Sequence, residues 1–405
     1  MSERTNTTMT LALEHLTVID LTQVMAGPSC CQLLGDLGAD VIKVEPVGSG
    51  DHTRQSMGHR MPHGESSAFL AVNRNKRSIA LDLKQEAARE AFYRLVRGAD
   101  VLVENFRPGV TRRLGVDYPV LSAINGRLIY ASISGFGQTG PYAGRPGYDL
   151  IAQAMSGLMS VTGESGGEPA KCGVPVADLS AGLYCAVGIL TACIARERTG
   201  RGQYIDTSLY EAALALSVWE TAELWATGHV PGPLGSAHRM SAPYQALRTR
   251  DGHVTVGANN PRLWQRLCQV LGREDLLGDP RFTTNADRLA NREELAGELE
   301  SVLKGRDTDE WVALLLGAGV PAGPLRDYRQ VCEDPHTLAR EMIVRVNHPV
   351  EGEVRSLGIP VKLSGTPGQV RRAAPMLGEH TDEILAGLGY SPPQIAALRE
   401  TGAAA

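Results

Sequence analysis

Short apolar runs alternate with amphipathic stretches through the first third of the chain. The run Thr17-Val-Ile-Asp-Leu21 predicts a buried strand, 30–38 a helix, and Asp40-Val-Ile-Lys-Val-Glu45 the next strand. The pattern then repeats. Ser78-Ile-Ala-Leu-Asp-Leu83 predicts a strand, a helix follows with Phe92, Leu95 and Val96 on one face, and Asp100-Val-Leu-Val-Glu104 predicts another strand. A further β run covers 127–134. Strands separated by helical text imply an α/β fold, with a parallel sheet covered on both faces. The first turn, Thr22-Gln-Val-Met-Ala-Gly-Pro28, lacks the GxGxxG that lets a backbone approach a pyrophosphate, which speaks against a dinucleotide site.

The pattern changes from Gly200. Helical text over 210–227 gives way to the Gly/Pro-rich stretch 228–239, then to a short strand, His253-Val-Thr-Val-Gly257. Helices are predicted from Pro261, behind Asn260, and after Asp307, where Glu310 outlines a capping box. This mostly helical segment ends near Gly323-Pro324. Text over 352–363 is β-like, and 381–388 and 393–399 are helical. The boundaries divide the chain into 1–200, a linker helix over 201–225, a small domain over 226–325, a linker over 326–345, and 346–405.

Composition narrows the class. The 405 residues are 43% hydrophobic and 21% charged, as in a soluble globular protein with room for two or three domains. A net charge of −5 argues against nucleic acid as a partner. Seven cysteines without a CxxC pair suit buried thiols in a reducing compartment. Met1 to His15 contain no apolar core of a secretory leader, and the most apolar run, 181–194, is shorter than the roughly 20 residues that cross a bilayer. The expectation is a cytoplasmic protein with no membrane partner. His59 and His63 have metal-like spacing, but Pro62 interrupts any helix and no third ligand is evident, so no metal is expected.

The most informative chemistry lies in Gly173-Val-Pro-Val-Ala-Asp178-Leu-Ser-Ala-Gly182. It places Asp178 before a long apolar helix expected to begin near Leu179. The helix-start N–H groups and dipole favour an ionised carboxylate, able to attack a carbonyl carbon. The bland alternative is an ordinary N-cap. Helix-start amides near Leu179 and the loop around Gly235 are candidate donors to an oxyanion. Arg74, Lys76 and Arg77 read equally as a solvated charged turn or a phosphate contact.

These motifs add up. With Asp20-Leu-Thr-Gln-Val-Met-Ala-Gly-Pro28, Leu37-Gly-Ala-Asp-Val-Ile-Lys-Val-Glu45, Asn73-Arg-Asn-Lys-Arg-Ser78, Val103-Glu-Asn-Phe-Arg-Pro-Gly109, Thr199-Gly-Arg-Gly-Gln203 and Leu377-Gly-Glu-His-Thr381, the chain resembles the class III CoA-transferases over about 16–388. This is the family of formyl-CoA:oxalate and crotonobetainyl-CoA:carnitine transferases. The resemblance implies a Rossmann-like large domain built from both termini, a smaller central domain, and a homodimer of interlocked rings. It places the nucleophile on Asp178, with Asp149 supporting it. It places CoA contacts on Met25, Ala26, Leu81, Lys84, Asn105, Phe106, Arg107 and Arg113. Its most similar branch is the succinyl-CoA-dependent dicarboxylate transferases, in which Tyr148 would border the substrate. Arg54, His238 or Arg239 would hold the acid's remote carboxylate. No permanently bound cofactor is implied; the CoA thioester is a substrate. The α-methylacyl-CoA racemases share the fold and are the alternative, but they carry Gly-His-Asp where this chain has Gly147-Tyr148-Asp149, so this chain lacks the His base that proton abstraction uses.

Overall fold

The computed structural model describes residues 11–405; the reading of Met1 to His15 as leaderless falls mostly outside them. The elements begin with β1 (Thr17–Asp20), α1 (Ala26–Asp36), β2 (Asp40–Glu45), α2 (Thr53–Ser56), α3 (Ser67–Val72), β3 (Lys76–Ala80) and α4 (Glu86–Gly98). There follow β4 (Val101–Glu104), α5 (Val110–Leu114), α6 (Tyr118–Ile124), β5 (Ile129–Ser134), α7 (Asp149–Met155), α8 (Val176–Thr199), β6 (Tyr204–Ser208), α9 (Leu209–Ala215) and α10 (Val218–Thr227). Strands β1 to β6 form one parallel sheet in the order β3-β2-β1-β4-β5-β6. That is a Rossmann-like order, reversing direction between β1 and β4. Alternate residues of each strand enter opposite cores, which is why the strands read as continuous apolar runs. Val18, Val41, Val101 and Ile129 pack with α1 and α8, while Ile19, Ile42, Ile79 and Leu102 pack with α4.

Contacts divide the chain into two compact units: Met1–Leu158, Cys172–Ala222 and Pro335–Ala405 form the first, Met159–Lys171 and Glu223–Asp334 the second. The second holds a three-stranded antiparallel sheet, β7 (Tyr244–Arg248), β8 (His253–Gly257) and β9 (Ala322–Pro324). It is backed by α11 (Pro261–Leu271), α12 (Asn285–Ala290), α13 (Arg292–Leu303) and α14 (Thr308–Gly317), around buried Trp264, Leu267, Phe282, Leu299 and Trp311. After α15 (Tyr328–Glu333) and α16 (Pro335–Ala339), β10 (Ile343–His348) and β11 (Gly352–Leu357) form a hairpin, and α17 (Thr381–Gly387) and α18 (Pro392–Glu400) close the chain. The C-terminus ties back to the edge of the large sheet: Asp82 N–H donates to Ala403 O at 3.0 Å, and Thr381 Oγ1 to Ala405 O at 2.6 Å.

Several local expectations change. The segment read as a linker helix over 201–225 contains β6, the sheet's edge strand, and the helical text over 210–227 is two helices. Asp307 forms no capping box; it pairs with Arg250, and Thr308 N–H donates instead to Asp251 at 2.8 Å. The basic cluster is neither solvated nor free for phosphate. Arg74 forks onto Asp36, Lys76 is fully buried against Asp20 at 2.8 Å, and Arg77 bridges Asp40 and Glu383. Such buried cations exist only with partners, because desolvating an unpaired charge costs several kcal/mol.

The run 181–194 is part of α8, which among the described residues is the one helix long and apolar enough to cross a bilayer. Its 24 residues are thus not too short for a bilayer, contrary to the expectation. Its Ala177, Ala181, Cys185, Ile189 and Ala192 nonetheless form one stripe in a core of the sheet, and buried Arg196 at its far end pairs with Asp100 at 2.9 Å.

Candidate active site

The reversal of strand order opens a cleft beyond the carboxyl ends of β1, β4 and β5, the usual ligand position in such sheets. The cavity, about 190 Å³, is lined by Val24, Met25 and Ala26 after β1 and by 105–108 after β4. Ile133 to Gly135, Arg145, Gly147, Tyr148, Leu209 and Asp178 complete it.

Asp178 reaches this cleft because α8 crosses α1 closely. A Cβ on Gly182 would lie 2.6 Å from Ala26 O and 2.7 Å from Ser29 Oγ, so only glycine fits there. Asp178 lies four residues earlier on the same helix face, which carries it to the start of α1. Gly182→Val should overpack this crossing and lower stability by about 1–3 kcal/mol. A denaturation midpoint unchanged from the parent's would show that the helices can separate freely.

Helix α8 starts at Val176, three residues before the position read from sequence, so Asp178 sits inside the first turn rather than in front of it. Pro175 precedes the helix and offers no capping side chain. Asp149, at the start of α7, does that job from a distance. Its Oδ1 accepts the N–H of Ala177 at 2.9 Å and of Asp178 at 3.3 Å, and its Oδ2 accepts Gln153 Nε2 at 2.7 Å. Buried Gln153 in turn accepts the N–H of Cys172 at 2.8 Å. A buried amide thus fixes one carboxylate, and that carboxylate fixes the backbone carrying the other.

The arrangement overturns one expectation. Burial and the negative charge of Asp149 push the Asp178 carboxyl up to about 7, so it is only partly ionised at neutral pH. No side chain or N–H bonds its carboxylate among the described residues. Unpaired carboxylates with raised values cluster at functional sites, which makes Asp178 the candidate reactive group of this cleft.

The expected oxyanion donors are also already used. Leu179 N–H donates to Pro175 O at 3.0 Å, and Gly235 N–H to Gly163 O at 2.8 Å. Amides without an acceptor among the described residues occur at the start of α1, at Ala26, which borders the cleft, and at Gly27. The preceding Val24 has φ of +73°, an outlier for a β-branched residue. Its N–H donates to Asp51 at 3.3 Å, and Asp51 is held by buried Lys43 at 2.9 Å. Nothing in the local residue pattern indicates that strain.

The structure brings Met25, Ala26, Asn105, Phe106, Arg107 and Tyr148 to the same cleft as Asp178. Asn105 spends its amide on the turn, exchanging hydrogen bonds with Gln23 N–H and O at 2.8 and 2.7 Å. Arg107, Arg113 and Lys84 are exposed and make no ion pair among the described residues; only Arg107 lines the cavity. Leu81 is a core residue bridged to Ala404. Arg54 is not a free cation: it forks onto Glu45 with both contacts at 2.8 Å, donates to Pro375 O and lies over Phe69. His238 and Arg239 belong to the second unit, where Arg239 pairs with Glu223 at 3.3 Å. Arg145, absent from the sequence-derived set, does line the cavity.

Comparison with known proteins agrees with this geometry. Residues 13–381 match the family model for CoA-transferase family III. An acetyl-CoA:oxalate CoA-transferase of Acetobacter aceti is 44% identical over 370 residues, covering 90% of this chain and 93% of the relative. The succinyl-CoA:glutarate CoA-transferase of Homo sapiens is 38% identical over 373 residues, covering 92% and 85%. A crystal structure of a CAIB/BAIF family protein from Brucella suis, 41% identical, superimposes with a TM-score of 0.84 over 93% of this chain and 99% of that one.

Proposed function

The chain belongs to CoA-transferase family III and transfers CoA from an acyl-CoA to a carboxylic acid, and from that premise we propose that Asp178 carries the acyl group. One oxygen of Asp178 attacks the donor thioester carbon, forming a mixed anhydride and expelling CoA thiolate. The thiolate attacks the Asp178 carbonyl, releasing the donor acid with that oxygen and leaving an aspartyl-CoA thioester. The acceptor carboxylate attacks this thioester, giving a second anhydride and the thiolate. The thiolate then attacks the acceptor's carbonyl, so the new acyl-CoA leaves and Asp178 regains a carboxylate. Each attack develops an oxyanion, for which the Ala26 and Gly27 amides, without an acceptor among the described residues, are proposed as donors. Asp149 positions the nucleophile, and Met25, Phe106 and Arg107 border the bound CoA, with Arg113 and Lys84 outside the cavity as further phosphate partners.

The observation that carries the reading is an unpartnered, half-buried carboxylate, Asp178, facing an anion-accepting helix start at the sheet's switch point. The donor is proposed to be succinyl-CoA and the acid dicarboxylic, in line with relatives named for glutarate and for mesaconate. Incubation with succinyl-CoA and a set of acids should give new CoA thioesters without accumulating free CoA or acid-independent hydrolysis. Deuterium entering the α-carbon in place of transfer would instead indicate proton exchange and sink the reading. Tyr148 stands where that chemistry places a histidine.

Ionisation of Asp178 should set the acidic limb. Its raised value means that kcat/KM for the acyl-CoA climbs with pH and levels off above about 7. Asp149→Asn removes the like charge while keeping an acceptor oxygen, so the limb should move to lower pH. A limb left in place would show that Asp149 does not act on Asp178 electrostatically.

The chain is also proposed to work as an interlocked homodimer in the cytoplasm. Support comes from apolar side chains left open on α8 and α10, with Leu183 58%, Val187 61%, Val218 65% and Trp225 80% exposed. Seven free thiols suit a reducing compartment.

A further inference from the structure

With Arg54 locked by Glu45, the cleft needs another cation if it is to accept a dianion beside two carboxylates, Asp178 and Asp149. Cations line it at two positions, Arg107 and Arg145. Arg107 follows Asn105 and Phe106 at the end of β4, on the wall assigned to CoA. Arg145 belongs to the loop that delivers Tyr148 and Asp149, and so to the nucleophile's side. That loop is pinned where Gly147 meets Gly135: a Cβ on Gly147 would stand 2.5 Å from the Gly135 Cα.

The Arg145 guanidinium is preorganised. It lies 3.8 Å over the Tyr142 ring, which packs edge-on against Phe136 with centroids 5.9 Å apart. Its own N–H closes a turn onto Tyr142 O at 2.9 Å, and Pro146 restricts its backbone to extended conformations. No carboxylate forms an ion pair with it among the described residues. A stacked, unpaired arginine loses little side-chain entropy on gripping a carboxylate and presents a fork that matches it. We propose that Arg145 binds the remote carboxylate of a dicarboxylic acid whose other carboxylate reacts at Asp178. The assignment rests on the dicarboxylate reading above and names the residue that would enforce it.

The test is an internal competition in which one acyl-CoA donor is offered glutarate and valerate together. These acids share five carbons and differ in the second carboxylate. The ratio of glutaryl-CoA to valeryl-CoA formed reports the acceptor step alone, because the donor step is common to both. Arg145→Met should lower that ratio by about 100-fold, the worth of a hydrogen-bonded charge contact, and Arg145→Lys should fall between it and the parent. Calorimetric affinity for CoA should stay at the parent's value in both variants. An unchanged ratio, with or without weakened CoA binding, would overturn the assignment and place Arg145 on CoA or on both acids alike. A parent enzyme that shows no preference for glutarate would overturn the dicarboxylate reading itself, and the assignment with it.

Discussion

Asp178→Asn should lower the rate of CoA transfer by at least about 10⁴-fold, the scale seen when a covalent nucleophile is removed. The substitution keeps the side chain's shape and removes the charge that burial and Asp149 both oppose. The variant should therefore fold as well as the parent and bind CoA with similar affinity. The loss should fall almost wholly in kcat. A loss expressed mainly as weaker CoA binding would mean that Asp178 holds the ligand rather than reacting with it. Its place in the first turn of α8 makes that distinction informative, since a helix-start carboxylate with a purely structural role should, on removal, cost about 1 kcal/mol of stability and little activity.

Lys43→Met should destabilise the protein by about 3–5 kcal/mol, as expected when one partner of a buried ion pair is deleted. Lys43 is fully buried, pairs with Asp51 at 2.9 Å and Asp20 at 3.9 Å, and donates to Thr22 O at 2.7 Å. Those two carboxylates hold it well above the usual lysine range, and it and Lys76 hold Asp20 down at about 2. Asp20 would keep Lys76, but Asp51 would be left with hydroxyl and backbone donors only. Because Asp51 also accepts the N–H of strained Val24, the turn carrying Met25 and Ala26 should relax, and KM for the acyl-CoA should rise together with the loss of stability. An unfolding free energy within about 0.5 kcal/mol of the parent's would show the network to be dispensable, since surface substitutions alone move stability that little.

How much of this was legible in the sequence differs by feature. Strand Asp40–Glu45 was plain because an apolar run bounded by turn residues has few other solutions, and His253–Gly257 because its two valines alternate with polar residues. The edge strand Tyr204–Ser208 was not, because its face carries Tyr204 and Asp206 and lacks the apolar run. Asp178 and the residues after β1 and β4 were found through motifs, and they do converge on one cleft. What failed was everything set by distant pairing. Arg54 read as a free cation because nothing local indicates that Glu45, nine residues away, would fork it. The ionisation of Asp178 was misjudged because helix position alone does not reveal that its carboxyl is buried, or that the supporting Asp149 adds a like charge beside it. The candidate donors at Leu179 and Gly235 are bonded within the fold, whereas the Ala26 and Gly27 amides have no acceptor among the described residues, a difference that local sequence does not reveal.

The central claim, that Asp178 itself becomes acyl and then CoA carrier, has a direct isotopic test. The acceptor acid is supplied with ¹⁸O in its carboxylate, the enzyme is allowed to turn over, and the peptide containing Asp178 is weighed. The cycle requires one acceptor oxygen to remain in the Asp178 carboxylate after each round, and to leave with a donor acid in whichever later round that oxygen makes the attack. Label in that side chain, and in the released donor acid only after it, is the predicted result. Label passing into the donor acid while Asp178 stays unlabelled would mean that acid and thioester exchange directly, and would contradict the account.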